Sequence, residues 1–341
     1  MKTNAVVGMA SAILMLWVGI AWAGSPGRIG TGGAPELRLP VGARSTALMG
    51  ADIGSVQGAE ALYYNPAGIA ATDNRTEVMF SHTAYIADME VNFVGVTQSL
   101  SDFGTIGISA KVLSIGEMVR TTEAAPDGFG DTFSPTYSVL AFGYGKRMTD
   151  RVNFGGTVSY VAEKILQESA AGMAFDFGFQ YETGYHGMNL GMTMKNFGPN
   201  LQYNGSDFDL SAQLPGTDPQ SDPRTVGTGA AQFELPSYFQ LGLSYPAARG
   251  NTPLTLYGLF QSNSFGRDEG RLGAELGIRK VLALRAGYRF NGNDQELFNW
   301  SYGIGLVVPM GGSKLSVEYA GEPVKTGVFD DVQHIAVSLY F

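Results

Sequence analysis

The sequence predicts an all-β protein: a transmembrane antiparallel β-barrel of about 14 strands, preceded by a short, partly helical segment. Three observations carry this reading. The 341 residues are 44% hydrophobic but only 16% charged, with 47 glycines. That mixture is too apolar for disorder and too rich in Gly, Tyr and Phe for a helical protein. From about residue 76 onward, apolar and polar residues alternate with a period of two in segments of roughly ten residues. After residue 23 no stretch resembles a transmembrane helix, so any passage through a membrane must use strands.

The chain opens with an address label. Lys2 supplies a positive start, residues 5–20 are uncharged and apolar, and Ala21-Trp22-Ala23 places small residues at the positions a signal peptidase reads. Residues 1–23 are therefore expected to be a signal peptide cleaved before Gly24. An uncleaved anchor is the rival reading, because the run nearly reaches bilayer length. The A-x-A tripeptide favours cleavage.

Residues 24–75 do not alternate. Pro40 and Gly42 mark a turn, 44–53 and 59–64 read as short helical stretches, and Asn65-Pro66-Ala67-Gly68 reads as another turn. Pro66 biases Asn65 away from the α region and so ends the preceding helix. Leu37, Leu39, Val41, Leu48, Met49, Leu62 and Tyr63 need cover, which predicts an N-terminal plug packed against the barrel.

Residues 76–341 form the predicted barrel. Its clearest strands set Val152, Phe154, Val158 and Tyr160 against Asn153, Gly155, Thr157 and Ser159, and Met173, Phe175, Phe177 and Phe179 against Ala174, Asp176, Gly178 and Gln180. The polar face is mostly small residues with isolated charges, as a water-lined lumen requires. The apolar face has no second apolar set to pack against, so it is assigned to outer-membrane lipid. Long gaps, such as 114–134 and 197–235, alternate with short ones, such as 100–103 and 309–312, which matches long extracellular loops and short periplasmic turns. The chain stops at Phe341, the last outward residue of an alternating strand. A terminal aromatic there resembles the signal read by the bacterial barrel-assembly machinery.

The same residues argue against other classes. A formal charge of −9 gives no basic face for nucleic acid, and the absence of cysteine removes disulfides, thiol catalysis and Cys-ligated metal. His82, His186 and His334 have no metal-ligand spacing. Closure of the barrel brings His82 and His334 together at the outer rim, where both are expected in water. Asp207, Asp209, Asp218 and Asp222 lack the order of a calcium loop. No enzyme, cofactor or metal is expected. Lys111, Glu163, Asp176, Lys195, Arg271, Glu275, Arg285, Arg289, Lys314 and Glu318 are expected to pair across the lumen.

The run Leu39-Pro40-Val41-Gly42-Ala43-Arg44, then Met49-Gly50, then Ala61-Leu62-Tyr63-Tyr64-Asn65-Pro66-Ala67-Gly68 resembles the amino-terminal signature of the PorV/PorQ family. The likeness continues through Phe80-Ser81-His82, Asp127-Gly128, Asp176-Phe177-Gly178, Asn196-Phe197-Gly198-Pro199 and Leu284-Arg285-Ala286-Gly287-Tyr288-Arg289, over nearly all of the mature chain. That family is related to the FadL-type transporters of hydrophobic compounds, which carry an Asn-Pro-Ala motif in an N-terminal plug. The resemblance implies a FadL-like barrel in the outer membrane and a non-enzymatic part in protein secretion and surface attachment of the type IX kind, with secretion subunits and cargo proteins as partners. The alternative is FadL-like movement of a hydrophobic small molecule through a lateral opening in the wall.

If Phe341 is the assembly signal, its deletion lowers the yield of folded barrel in the outer membrane. Heat-modifiable gel migration measures that yield, and an unchanged folded fraction removes the role.

Overall fold

The computed structural model describes residues 26–341 except 73, 214–223, 280, 292–296 and 326. The expected signal peptide, with Ala21 and Ala23, lies outside the described residues, as do Asp218 and Asp222.

The chain closes into a barrel of 14 antiparallel strands. The first seven are β1 (Thr76–Ala84), β2 (Glu90–Ser99), β3 (Thr105–Ser114), β4 (Thr136–Thr149), β5 (Val152–Ile165), β6 (Glu168–Glu182) and β7 (Asn189–Phe197). The second seven are β8 (Tyr238–Ala248), β9 (Leu254–Asn263), β10 (Glu269–Ile278), β11 (Leu282–Phe290), β12 (Trp300–Met310), β13 (Ser313–Glu322) and β14 (Val332–Tyr340). Each pairs with its sequence neighbours, and β1 pairs with β14 from Glu77↔Tyr340 to Ala84↔Gln333, so no edge is left open. Among the described residues no helix is long and apolar enough to cross a membrane.

The alternation resolves into two faces. On β6, Met173, Phe177 and Phe179 point outward and are exposed, while Ala174, Asp176 and Gln180 point inward and are buried. Adjacent positions on β8 separate likewise, with Leu241 outside and Gln240 inside. Phe142, Phe154, Leu272, Tyr288, Ile304 and Val337 continue the outward apolar belt around the wall. A belt that wide aggregates in water, whereas lipid covers it.

Two departures from the expected elements have clear causes. β6 begins at Glu168, well before the apolar alternation that starts at Met173, and β5 runs to Ile165, which leaves a two-residue turn in which Leu166 takes a left-handed φ of 53°. Glu168, Ser169 and Ala170 keep the in–out alternation, but their outward residues are polar or small, so the hydropathy signal stops before the strand does. The long connections also carry their own ribbons, Met118–Val119 with Thr132–Phe133 and Asp209–Ala212 with Arg224–Gly227.

Cysteines at Leu241 and Gln240 test the register, since neighbours on one strand must behave oppositely. A lipid-soluble maleimide should modify Leu241→Cys, and a small charged thiosulfonate should modify Gln240→Cys faster. The reverse preference means that the strand is turned the other way.

Candidate functional site: the occupied lumen

Residues 34–70 run through the barrel interior, and their apolar side chains define its core. Val41, Ala43, Ala47, Val56, Ala59, Leu62 and Ile69 cluster with the inward side chains of Met79 on β1, Phe93 on β2, Ala320 on β13 and Ala336 on β14. Leu48, Ala51 and Ile53 pack on Tyr257 and Leu259 of β9. The segment starts at the end carrying the long connections. There the Arg28 guanidinium lies 4.1 Å from the centroid of the Phe265 ring and bonds Glu234 at 2.6 Å. It finishes among the lumen residues of β4 to β6 nearest the short turns, then enters β1. The short helical stretch expected over 44–53 covers only one α turn, Arg44–Ala47, and turns follow it.

Such irregular backbone leaves many carbonyls without intrasegment partners, and a buried group of this kind must find one elsewhere. Wall side chains supply them. Ser301 Oγ donates to Ala47 O at 2.9 Å, Arg271 Nη1 to Met49 O at 2.9 Å, and Gln180 Nε2 to Ile53 O and Val56 O at 3.1 and 2.9 Å. Lys111 Nζ donates to Leu39 O at 3.2 Å, and Lys195 Nζ donates to Tyr63 O.

The Asn65-Pro66-Ala67-Gly68 turn is the tightest anchor. Asn65 is extended at φ −153° and fully buried, with Pro66 opening the short 3-10 turn Pro66–Ala70. Its Oδ1 accepts from Ala67 N at 3.1 Å, while Nδ2 donates to Ile53 O at 2.7 Å and to Phe179 O on β6 at 3.2 Å. The wall opposite is glycine because backbone touches backbone there. A Cβ on Gly155 would stand 2.2 Å from Pro66 O, and one on Gly178 would stand 2.1 Å from Asn65 Oδ1.

Charged groups fill the rest of the interior in pairs. Lys195 Nζ lies 2.7 Å from Asp176, and Arg285 Nε lies 2.6 Å from Glu275, which also takes Arg44 of the segment at 3.3 Å. Arg285 also bonds Glu318. Lys314, expected in the same set, is instead exposed near the start of β13, at the barrel end where the short turns lie. Two carboxyls of the segment sit apart from these pairs. Burial pushes Glu60 up to about 8, with nearby Asp52 adding and Arg44 opposing, and its Oε1 accepts from Ser45 N at 3.1 Å. Burial, reinforced by Glu163 of β5 and opposed by Lys111, pushes Glu36 up from 4.5 to about 8.

Two cavities remain beside the segment. The larger, about 220 Å³, is lined by Arg38, Tyr63 and Tyr64 of the segment, by Tyr238, Gln240, Gln261, Arg271 and Arg289 of the wall, and by Tyr85 and Phe298 of the connections. A smaller one of about 30 Å³ touches Leu37, Leu62, Lys195 and Asn196. Beside it the β6–β7 ladder shifts register between Phe175 and Phe177, and Asn196 adopts φ 57°. Asp176 holds this bulge, with Oδ1 accepting from Asn196 N at 2.7 Å and Oδ2 from Thr157 Oγ1 at 3.1 Å.

Other sequence-predicted positions fall as follows. Phe341 is exposed on the outside of the wall, its backbone N donating to Thr76 O at 2.9 Å. His334 does not sit in water at the rim. It is fully buried between Thr83 Oγ1 at 2.8 Å and Glu322 Oε2 at 3.1 Å, because β14 turns it inward, whereas His82 bonds Asn92. Among the described residues no three His, Cys, Asp or Glu side chains converge on a metal-sized space. Sequence reasoning passed over Glu269, Gln240 and Gln261. Only their inward parity could have flagged them.

No family model matches the chain, and neither does any curated protein sequence. The PorV/PorQ resemblance and the secretion role it implies gain no support from these comparisons. Solved structures do match in fold. The toluene transporter TodX of Pseudomonas putida is 12% identical, covers 89% of this chain and 98% of its own, and gives a TM-score of 0.57. The toluene transporter TbuX of Ralstonia pickettii is 11% identical over 88% of this chain and 98% of its own, at 0.56. A FadL homologue of Pseudomonas aeruginosa is 12% identical over 89% and 98%, at 0.55. The fold of this chain is that of the FadL-like barrels.

Proposed function

We propose that this chain is a gated conduit for small hydrophobic molecules across the outer membrane, in the manner of the FadL-like transporters. The observation that carries the reading is the segment 34–70 seated along the lumen of a closed barrel that matches that fold over 89% of the chain. A 14-stranded wall encloses more space than its own inward side chains fill. Passage therefore depends on an obstruction that can move. The matched Pseudomonas putida protein is described as a monoaromatic hydrocarbon channel, which supports a permeant of similar size here. The permeant enters from the long-connection end into the larger cavity. It leaves sideways at the β6–β7 bulge, where the ladder is already interrupted beside the smaller cavity. Export by a cleaved leader over residues 1–23 and assembly through Phe341 belong to the same proposal. No reaction chemistry is needed by it.

The obstruction has a protonation-dependent hold. Glu36 lies near Glu163 of β5 and Lys111 of β3, and Glu163 accepts from the hydroxyl of Tyr203 in the long connection. A carboxyl raised on packing favours the packed state below its ordinary 4.5 and loses that contribution as the pH rises through about 8. Residues 26–40 should therefore become more sensitive to protease between mildly acidic and alkaline pH. Glu36→Gln, which cannot ionise, should flatten that dependence. A dependence that survives in Glu36→Gln assigns the effect to another group.

Removing residues 28–70, with the leader and a few residues after it retained, should give a barrel of much larger ion conductance in planar bilayers. Asn65→Ala, which removes both donations of the anchoring amide in a full-length chain, should raise the frequency of opening. Unchanged conductance in both folded proteins places the gate elsewhere, in the long connections.

A further inference from the structure

The larger cavity offers more than an apolar surface. Its surface carries the guanidiniums of Arg38, Arg271 and Arg289, and all three gather around one carboxylate that does not line it. Glu269 Oε1 lies 3.3 Å from Arg38 Nη2, Oε2 lies 3.0 Å from Arg271 Nη2, and Arg289 Nη1 stands 4.0 Å away. Arg38 is the most exposed of the three. Its other bond, to Asn263 Oδ1, is 3.4 Å, and its side chain is 38% exposed. Both bonds are at the long end for N–H···O, so its fork retains donors for a guest. The acid on the cavity wall, Glu322, already accepts from His334.

The remaining surface suits a ring. Tyr63, Tyr238 and Phe298 flank the space, and Tyr85 lies over Phe298 with ring centroids 6.0 Å apart, closing the side toward the connections. A cavity of roughly 150 Å³ holds benzene, so about 220 Å³ has room for one ring with a small substituent.

We propose that this cavity binds a single-ring aromatic carboxylate, its anionic end on Arg38 with Arg271 and Arg289 behind, its ring between Tyr63, Tyr238 and Phe298. The assignment rests on the transport reading for its biological sense but not for its chemistry. Planar guanidinium forks match a carboxylate in two parallel bonds, and a neutral hydrocarbon leaves them without that partner.

Calorimetry on the folded, detergent-solubilised full-length protein at neutral pH tests it, with benzoate, toluene and acetate as probes. Benzoate should bind at least about tenfold more tightly than toluene, its near-isostere, as a charge-assisted pair is worth, and should weaken as salt is raised. Acetate should bind far more weakly, because it lacks the ring. Arg38→Gln should cost benzoate about tenfold or more while leaving toluene unchanged, and Arg38→Lys should restore part of the loss. Toluene equal to benzoate, acetate equal to benzoate, or benzoate indifferent to Arg38→Gln overturns the proposal. Toluene flux into liposomes tests the transport reading separately. Flux without benzoate binding leaves that reading standing, and benzoate binding without flux of either compound removes it while the site remains.

Discussion

A single buried amide ties the irregular part of this chain to the regular part. Asn65 is extended because Pro66 follows it, and that conformation turns its side chain back to cap Ala67 N while its amide nitrogen reaches Ile53 O and Phe179 O. Leaving such buried carbonyls unmet costs about 1–3 kcal/mol each. The requirement then propagates. Backbone pressed this close to β5 and β6 admits no side chain at Gly155 or Gly178, so the glycines of the wall and the turn of the segment are two halves of one surface.

The ionic interior follows from the same packing. Arg44 of the segment and Arg285 of β11 meet on Glu275, and Lys195 and Asp176 meet beside the backbone of Tyr63. Buried pairs of this kind are poor evidence of stability, since desolvation offsets their attraction. Breaking one leaves a bare charge, and that penalty makes them effective at fixing where the segment sits. Around Glu269 the segment and the wall present more guanidinium than the neighbouring carboxylate matches with short bonds, and the larger of the two cavities opens there.

The likeness to hydrocarbon transporters at 11–12% identity is a likeness of wall and closure. Lipid accepts any outward apolar residue and strand pairing is made by backbone, so such a wall tolerates nearly complete replacement of its side chains. Specificity must therefore lie in the inward residues. In this chain those are tyrosines, glutamines and arginines in addition to aliphatics.

The sequence by itself determined the membrane-spanning architecture. A period-two pattern has one geometric meaning, and an apolar face with no partner in the chain has one solvent, so strand number, register at Phe177 and the non-alternating character of residues 24–75 were all legible. Asn65-Pro66 was legible too, because proline acts on its immediate neighbour. Tertiary structure alone decided what each inward residue meets. Nothing local in the sequence distinguishes His334, buried between Thr83 and Glu322, from a histidine in water at the rim. Parity puts Glu269 and Arg271 in the lumen, but Arg38 lies more than 200 positions earlier, in the segment that does not alternate. Only closure of the barrel around its own N-terminal segment brings those side chains together and leaves a cavity between them.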